Sequence, residues 1–357
     1  MKFLSSLFAL LLLASCDFKS SDGEKTGLRG ELHAVVDSIT PLMTAYHYNP
    51  AELATDRYRE VAQAARALAD TAQSPEAFIK GFNQLWADGP FSHVRLGKLE
   101  RPAAQMADYI DTLRMGEGAA TLTWEGETAV LTLNTMTGLD TREKVEEAYR
   151  ILAENKAKAL IIDLRNNNGG TFAGIPLIGH LLTDSLDAGF FVSRKWWATQ
   201  SEPPAPEAVQ ELVPWKGWSI KSFWHDVQKV PLTRVTFISM EPHFSGPVYV
   251  LTSRQTASAA EFSADALAWL DAVTLIGETT AGEMLSQKMF DLPHGFQLSF
   301  PIAEYYSTRI GRIEGKGVRP DIELDPDAAL DLALLLAGGM DREEALTRIR
   351  PKTDRQD

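Results

Sequence analysis

Apolar positions along the chain follow two rhythms. From residue 31 to 88 they recur at helical spacing in three segments. The first is ELHAVVDSITPLMTAYHY, where Pro41 is expected to kink or divide the helix. The second is AELATDRYREVAQAARALADTA, and the third, SPEAFIKGFNQLWADG, opens with Ser74 as N-cap and Pro75 at the first helical position. From Ala119 the rhythm changes. AATLTWEGETAVLTLNTM predicts a strand, a tight turn at Glu125–Glu127 and a second strand, and DTREKVEEAYRILAENK predicts an amphipathic helix with Asp140 as N-cap. KALIIDLR carries a continuous apolar run, Ala159 to Ile162, as in a strand buried on both faces, and NNNGGTFAGIPLIGHLL reads as a loop entering a helix. A strand over 247–252, a helix over 257–270, a strand over 273–277 and β-rich sequence to about residue 305 follow. A helix from Pro326 to about Leu336 closes the pattern. Strands alternating with helices predict an α/β domain with a largely parallel sheet, preceded by a small helical domain.

Residues 186–245 fit neither rhythm. They hold five of the eight tryptophans and many prolines, and are expected to form a variable excursion over the site. At the N-terminus, Lys2 precedes an apolar run from Phe3 to Leu13 and then LASC, a secretory-signal pattern too short to span a bilayer as a mature helix. LASC also resembles a bacterial lipobox, which implies lipidation of Cys16, the one cysteine of the chain. No thiol then remains for a disulfide, a nucleophile or a zinc site. Asp17 resembles an inner-membrane retention signal, so the expected location is the periplasmic side of the cell envelope, lipid-anchored to the inner rather than the outer membrane. The expected organisation is a signal peptide over 1–15, a polar tether over 16–29, a helical domain over 30–105, an α/β core over 106–340 and a charged tail over 341–357. A formal charge of −13 without any Lys/Arg cluster argues against a nucleic-acid partner, since nothing offsets phosphate repulsion.

Open α/β sheets place ligands at the C-terminal ends of their strands, and two such ends carry candidate chemistry. In IIDLRNNNGG, Gly169 and Gly170 can present backbone N–H groups to an anion, or simply let the chain reverse. Asp163 and Arg165 read as anchors of that loop. In LTSRQTASAAEF, Ser258 sits where a strand hands over to a helix, with the Ala259 N–H beside it. A lone serine there is a nucleophile or a helix cap, and the residues alone leave both open.

The segments ALIIDLRNNNGG, YVLTSRQTASAAEF, TLIGETTAG, LPHGFQLSFP and IEGKGVRPDIEL, in that order from about Ala119 to Leu324, resemble the tail-specific (C-terminal processing) serine peptidases. That family includes the tricorn core protease and interphotoreceptor retinoid-binding protein. The resemblance implies a crotonase-like (ClpP/crotonase) core, Ser258 as nucleophile, and the Gly169–Gly170 loop with the Ala259 N–H as oxyanion donors. Tail-specific members take their base from a lysine directly after the glycine of this motif, but here Glu283 follows Gly282, and Lys288 lies five residues further on. The tricorn-like branch instead supplies a histidine from the N-terminal side, and Ser92–His93 in ADGPFSHVRLG resembles that pair. In that branch a glutamate completes the site, and Glu314 occupies the matching motif. The implied relay is Glu314, Ser92, His93 and Ser258, without a metal or other cofactor. Only 25 residues separate His93 from Ala119, too few for the PDZ domain usual in tail-specific proteases. The expected activity is serine-type peptide hydrolysis. The alternatives are a Ser258–Lys288 dyad and a non-catalytic binder of apolar ligands or peptides on the same scaffold.

Overall fold

A computed structural model describes residues 21–349. Helices α1 (Ser21–Tyr46), α2 (Asp56–Thr71) and α3 (Pro75–Ala87) lead into strand β1 (Arg95–Lys98) and helix α4 (Ala103–Thr112). The hairpin β2 (Ala120–Glu125) and β3 (Thr128–Leu133) is followed by α5 (Leu139–Glu154), β4 (Ala159–Asp163), α6 (Gly174–Gly179) and β5 (Leu186–Ser193). Next come α7 (Arg194–Trp197), α8 (Ile220–Asp226), β6 (Leu232–Phe237), β7 (Val248–Thr252), α9 (Ala259–Leu267) and β8 (Val273–Gly277). The chain continues through β9 (Leu285–Leu292), β10 (Phe296–Ser307), β11 (Gly311–Arg312), β12 (Ile322–Glu323), α10 (Pro326–Ala337) and α11 (Arg342–Ile349).

Two six-stranded sheets result. One runs β12-β8-β7-β4-β3-β2 and is parallel except for the β2–β3 hairpin. The other is antiparallel and built around β10, with the path β1-β10-β5-β6 and β9 and β11 also paired to β10. Period-two alternation explains the layering. Leu160 and Ile162 of β4 face a core shared with α5, α6, α9 and the antiparallel sheet, while Ile161 faces α10 and α11. On the outer face of the antiparallel sheet, α1–α3 pack against Leu285, Leu292, Phe296, Leu298 and Phe300.

Several expectations need correction. Helix α1 begins at Ser21, so residues 21–29 of the expected tether are helical, and Pro41 does not divide it. Pro41 sits on the exposed side, while Leu32, Val35, Ile39 and Met43 are buried on the other side of the same continuous helix. Helix α5 is capped at Gly138, and Asp140 instead accepts the N–H groups of Met115 (2.9 Å) and Gly116 (2.8 Å). The expected excursion contains β5 and β6, which are integral strands, and the expected charged tail contains α11. The helical segment is not self-contained either, because β1 pairs with β10 and the core of α1–α3 is completed by β9 and β10. Residues 94–118, where a PDZ domain would stand, hold β1 and α4. The signal segment and Cys16 lie outside the described residues.

This shared core predicts cooperative unfolding. Phe82 is 1 % exposed and packs on Phe78 and Trp86. Phe82→Ala is expected to cost ~3–5 kcal/mol, with one transition in urea by both tryptophan fluorescence and circular dichroism. A separate early transition for the helical layer would contradict this.

Candidate active site

β4 and β7 are adjacent and parallel, with Asp163 opposite Leu251, so the loops leaving their C-terminal ends emerge side by side. The β4 loop is tied down by Arg165, which donates to both oxygens of Asp163 (2.9 and 2.7 Å) and to the Pro326 carbonyl (2.6 Å). Thus Asp163 and Arg165 are anchors. Asn167, fully buried, joins the two loops. Its Nδ2 donates to the Leu133 carbonyl (3.0 Å), its carbonyl accepts the Ala257 N–H (3.0 Å), and its Oδ1 accepts the Gly169 N–H (2.9 Å).

That last bond divides the glycine pair. The Gly169 N–H is engaged and does not serve as an oxyanion donor, a correction to the expectation for this residue. What Gly169 supplies is space and a positive φ of 91°. A Cβ there would lie 2.6 Å from the Ala257 carbonyl and 2.7 Å from the Ser258 Cβ. The N–H groups of Gly170 and Ala259 have no protein acceptor among the described residues. Both residues line a cavity of about 240 Å³ that also contains Ser258 and His93.

Ser258 is the N-cap of α9, yet it holds φ 54° and ψ −121° rather than the extended torsions usual at that position. A non-glycine residue in this region costs about 1–3 kcal/mol and persists only where surroundings impose it. They do so through Glu261. This carboxylate, with no exposure, accepts the N–H groups of Ser258 (3.0 Å), Gly282 (2.7 Å) and Glu283 (2.8 Å) and the Thr280 hydroxyl. Burial raises its pKa while these four donors pull the other way. Glu261 stands three residues after Ser258, the spacing of a capping box, and that signal marks it in the sequence. Asn167 has no comparable signal, being one of three consecutive asparagines.

His93 leaves the helical layer at φ 63°, the second strained residue of the cavity. Phe91 anchors its loop, packing on Trp86 (5.2 Å between ring centroids) and His47 (4.2 Å). The His93 Nδ1 hydrogen-bonds the Ser92 hydroxyl (2.7 Å), leaving Nε2 as the nitrogen available to Ser258. Desolvation lowers the His93 pKa to about 4, so the ring is neutral at neutral pH. Glu314, buried and 222 residues from Ser92, accepts the Ser92 N–H (3.2 Å) through one oxygen and the Met284 N–H (2.6 Å) through the other. Burial pushes its pKa up to about 7 against the pull of Ser92 and Met284. Glu314, Ser92 and His93 are thus joined by hydrogen bonds, and Ser258 lines the same cavity as His93 without a hydrogen bond between the two among the described residues.

The alternative bases are placed elsewhere. Glu283 is exposed and lines a different, polar groove with Arg254 and Glu278. Lys288 does not line the cavity; its ammonium lies 5.7 Å from the Phe290 ring centre. His180 hydrogen-bonds the Pro242 carbonyl, His33 pairs with Asp70 and His225 with Asp226. Among the described residues His93 is the histidine that lines the Ser258 cavity. The remaining walls are mostly apolar, with Thr137, Thr171, Ser286 and Gln287 among them, and include Trp215, Trp218 and Trp224 from the region first read as an excursion.

The Glu261 network predicts a measurable loss. Glu261→Gln turns two acceptor lone-pair sites into donors facing N–H groups and is expected to cost ~2–5 kcal/mol in urea denaturation. A cost below ~1 kcal/mol would show that this carboxylate does not hold the turn.

Residues 127–324 match the family model of Peptidase family S41. A chloroplastic C-terminal processing peptidase of Tetradesmus obliquus is 26% identical over 188 residues, covering 53% of this chain and 33% of that protein. A carboxyl-terminal-processing protease of Synechocystis sp. is 28% identical over 179 residues, covering 50% and 34%. The match thus spans about a third of the length of these curated relatives. In fold, the crystal structure of a protein from Parabacteroides merdae superposes with a TM-score of 0.55 at 16% identity, covering 92% of this chain and 99% of that one. The family match takes in the glycine loop, the Ser258 elbow and Glu314 and covers more than half of the sequence, and the chain belongs to Peptidase family S41, a family of serine-type hydrolases.

Proposed function

We propose that this chain hydrolyses peptide bonds of peptide or protein substrates through an acyl-enzyme on Ser258. The observation that carries this reading is the convergence of Ser258, His93 and two free N–H groups, of Gly170 and Ala259, on one cavity. His93 Nε2 takes the Ser258 proton as Oγ attacks the scissile carbonyl. The resulting oxyanion receives hydrogen bonds from Gly170 and Ala259, and His93 then protonates the leaving amine. Water, deprotonated by the same ring, cleaves the ester and restores the serine. Nδ1–H donates to the Ser92 hydroxyl, and Glu314 holds the same serine by its backbone N–H, so imidazolium forming in the transition state lies one residue away from a buried carboxylate. Supporting His93 over Lys288 is the position of the lysine outside the cavity.

The rival reading is a binder of apolar ligands, favoured by the aromatic walls. A fluorophosphonate probe separates the two. Labelling of the wild type, abolished in Ser258→Ala and His93→Ala and retained in Lys288→Ala, is the expected outcome. Absence of wild-type labelling favours the binder, and loss in Lys288→Ala alone returns the base to the lysine.

Gly169→Ala should cut labelling at least ~10²-fold while leaving the protein folded, because its Cβ displaces Ser258. Labelling at the wild-type rate would disprove the close-packing argument.

Glu314 must be ionised to stabilise imidazolium, and it protonates as pH falls through about 7. An acid limb near pH 7 in kcat/KM is therefore expected. Glu314→Gln should remove that limb, leave the His93 ionisation near pH 4, and lower kcat/KM about 10²-fold. An unmoved limb would exclude Glu314 from the relay.

The proposed location is the periplasmic side of a bacterial membrane, with the chain anchored through lipidated Cys16. It rests on the N-terminal sequence alone. Cys16→Ser should shift the protein from the membrane to the soluble fraction of cells.

A further inference from the structure

The cavity beside Ser258 has a wall that the strands do not build. Phe172, Trp215, Trp218 and Phe223 form a connected aromatic face, with ring centres 5.6–5.8 Å apart for Phe172–Trp215, Phe172–Trp218 and Trp215–Phe223. Three of these rings come from residues 215–223, which include the start of α8. Seven residues are too few for a helix to persist unaided. Its first N–H groups are satisfied in an unusual way. Ser219 caps the Ser222 N–H (3.1 Å), but those of Ile220 (2.7 Å) and Lys221 (3.0 Å) both donate to the carboxylate of Asp111, 109 and 110 residues away on α4. The residue before this clasp but one is Trp218, held at φ 38°. Directly beside it, Ile110 from α4 and Ile220 from α8 both line the cavity, so the clasp closes one side of it.

We infer that Asp111 is a positioning residue for substrate. By clasping the start of α8 it holds Trp218 and Phe223 as the wall of a pocket that receives a bulky apolar side chain next to the scissile bond. The inference rests on the peptidase reading and adds the substrate class to it. No Asp, Glu, Lys or Arg lines the cavity, so a charged side chain there would lose its water without gaining a partner. The neighbouring Lys221–Asp108 pair is exposed and contributes little.

The test is steady-state cleavage of a tripeptide anilide ending in phenylalanine, and of its alanine analogue, beside fluorophosphonate labelling. Asp111→Ala should raise KM for the phenylalanine substrate roughly tenfold with kcat within about twofold, since two charge-assisted hydrogen bonds are lost away from the reacting atoms. KM for the alanine analogue and the labelling rate should stay within about twofold of wild type. Asp111→Asn, which keeps one acceptor oxygen, should recover part of the loss, and Asp108→Ala should behave as wild type. An unchanged KM for the phenylalanine substrate in Asp111→Ala overturns the inference. So does a joint fall of kcat, KM and labelling that Asn does not relieve. If the wild type never labels, the peptidase reading fails while the clasp stays testable by calorimetry with benzyloxycarbonyl-Ala-Ala-Phe. Asp111→Ala should then weaken binding about tenfold, and equal affinity overturns the clasp as well.

Discussion

Glu261 is the point on which the arrangement of this site depends. A carboxylate without exposure is stable only when its lone pairs are taken, and the four donors around Glu261 come from two separate stretches, the Ser258 elbow and residues 280–283. Where the 280–283 turn ends, the next N–H, that of Met284, donates to the second buried carboxylate, Glu314. Glu314 in turn holds the Ser92 N–H, and the Ser92 hydroxyl holds His93. A path of hydrogen bonds and short covalent links therefore runs from the backbone of Ser258, through two buried carboxylates that accept the adjacent N–H groups of Glu283 and Met284, to the imidazole that lines the same cavity. The 280–283 turn places Glu283 outside the Ser258 cavity. It fixes the distance between the halves of the site.

Strain is concentrated in the same place. Among the described residues five non-glycines have positive φ, and three of them, His93, Trp218 and Ser258, line the one cavity. At about 1–3 kcal/mol each, such torsions survive only under several independent restraints. Each has them: Glu261 for Ser258, the buried Phe91 and the Ser92–Glu314 contact for His93, and the Asp111 clasp with Ser219 for Trp218.

The parallel sheet and the elbow were legible because they announce themselves locally. ALIID is buried at every position and apolar up to Asp163 because both faces of β4 are covered, and the turn from VYVLT into ASAAEF carries both the serine and its capping-box glutamate. Strands β5 and β6 were not legible. β5 pairs with β10 across 110 or more positions and β6 pairs with β5, and the Trp- and Pro-rich sequence between β5 and β6 hides the alternation. Asp140 misled for a related reason, since its partners, Met115 and Gly116, belong to the preceding loop rather than to its own helix. Within the site, residue types pointed to Ser258 and the glycine loop. Only a resemblance carried His93 and Glu314, because nothing local marks a histidine that shares a cavity with a serine 165 positions away.

That separation has a physical consequence. His93 has no rigid element of its own; it sits on the short link between α3 and β1, and its position is inherited from Phe91 in the aromatic core of the helical layer. That core is closed by β9 and β10, the strands whose beginning also carries Met284 and the cavity residues Leu285 to Gln287. Packing and catalysis consequently share residues. A cavity opened at Phe82 or Trp86 would reach Ser258 through the placement of His93, the proposed base, while leaving the elbow, the glycine loop and Glu261 undisturbed. Loss of packing energy in the helical layer and loss of proton transfer at the serine are two effects of one displacement.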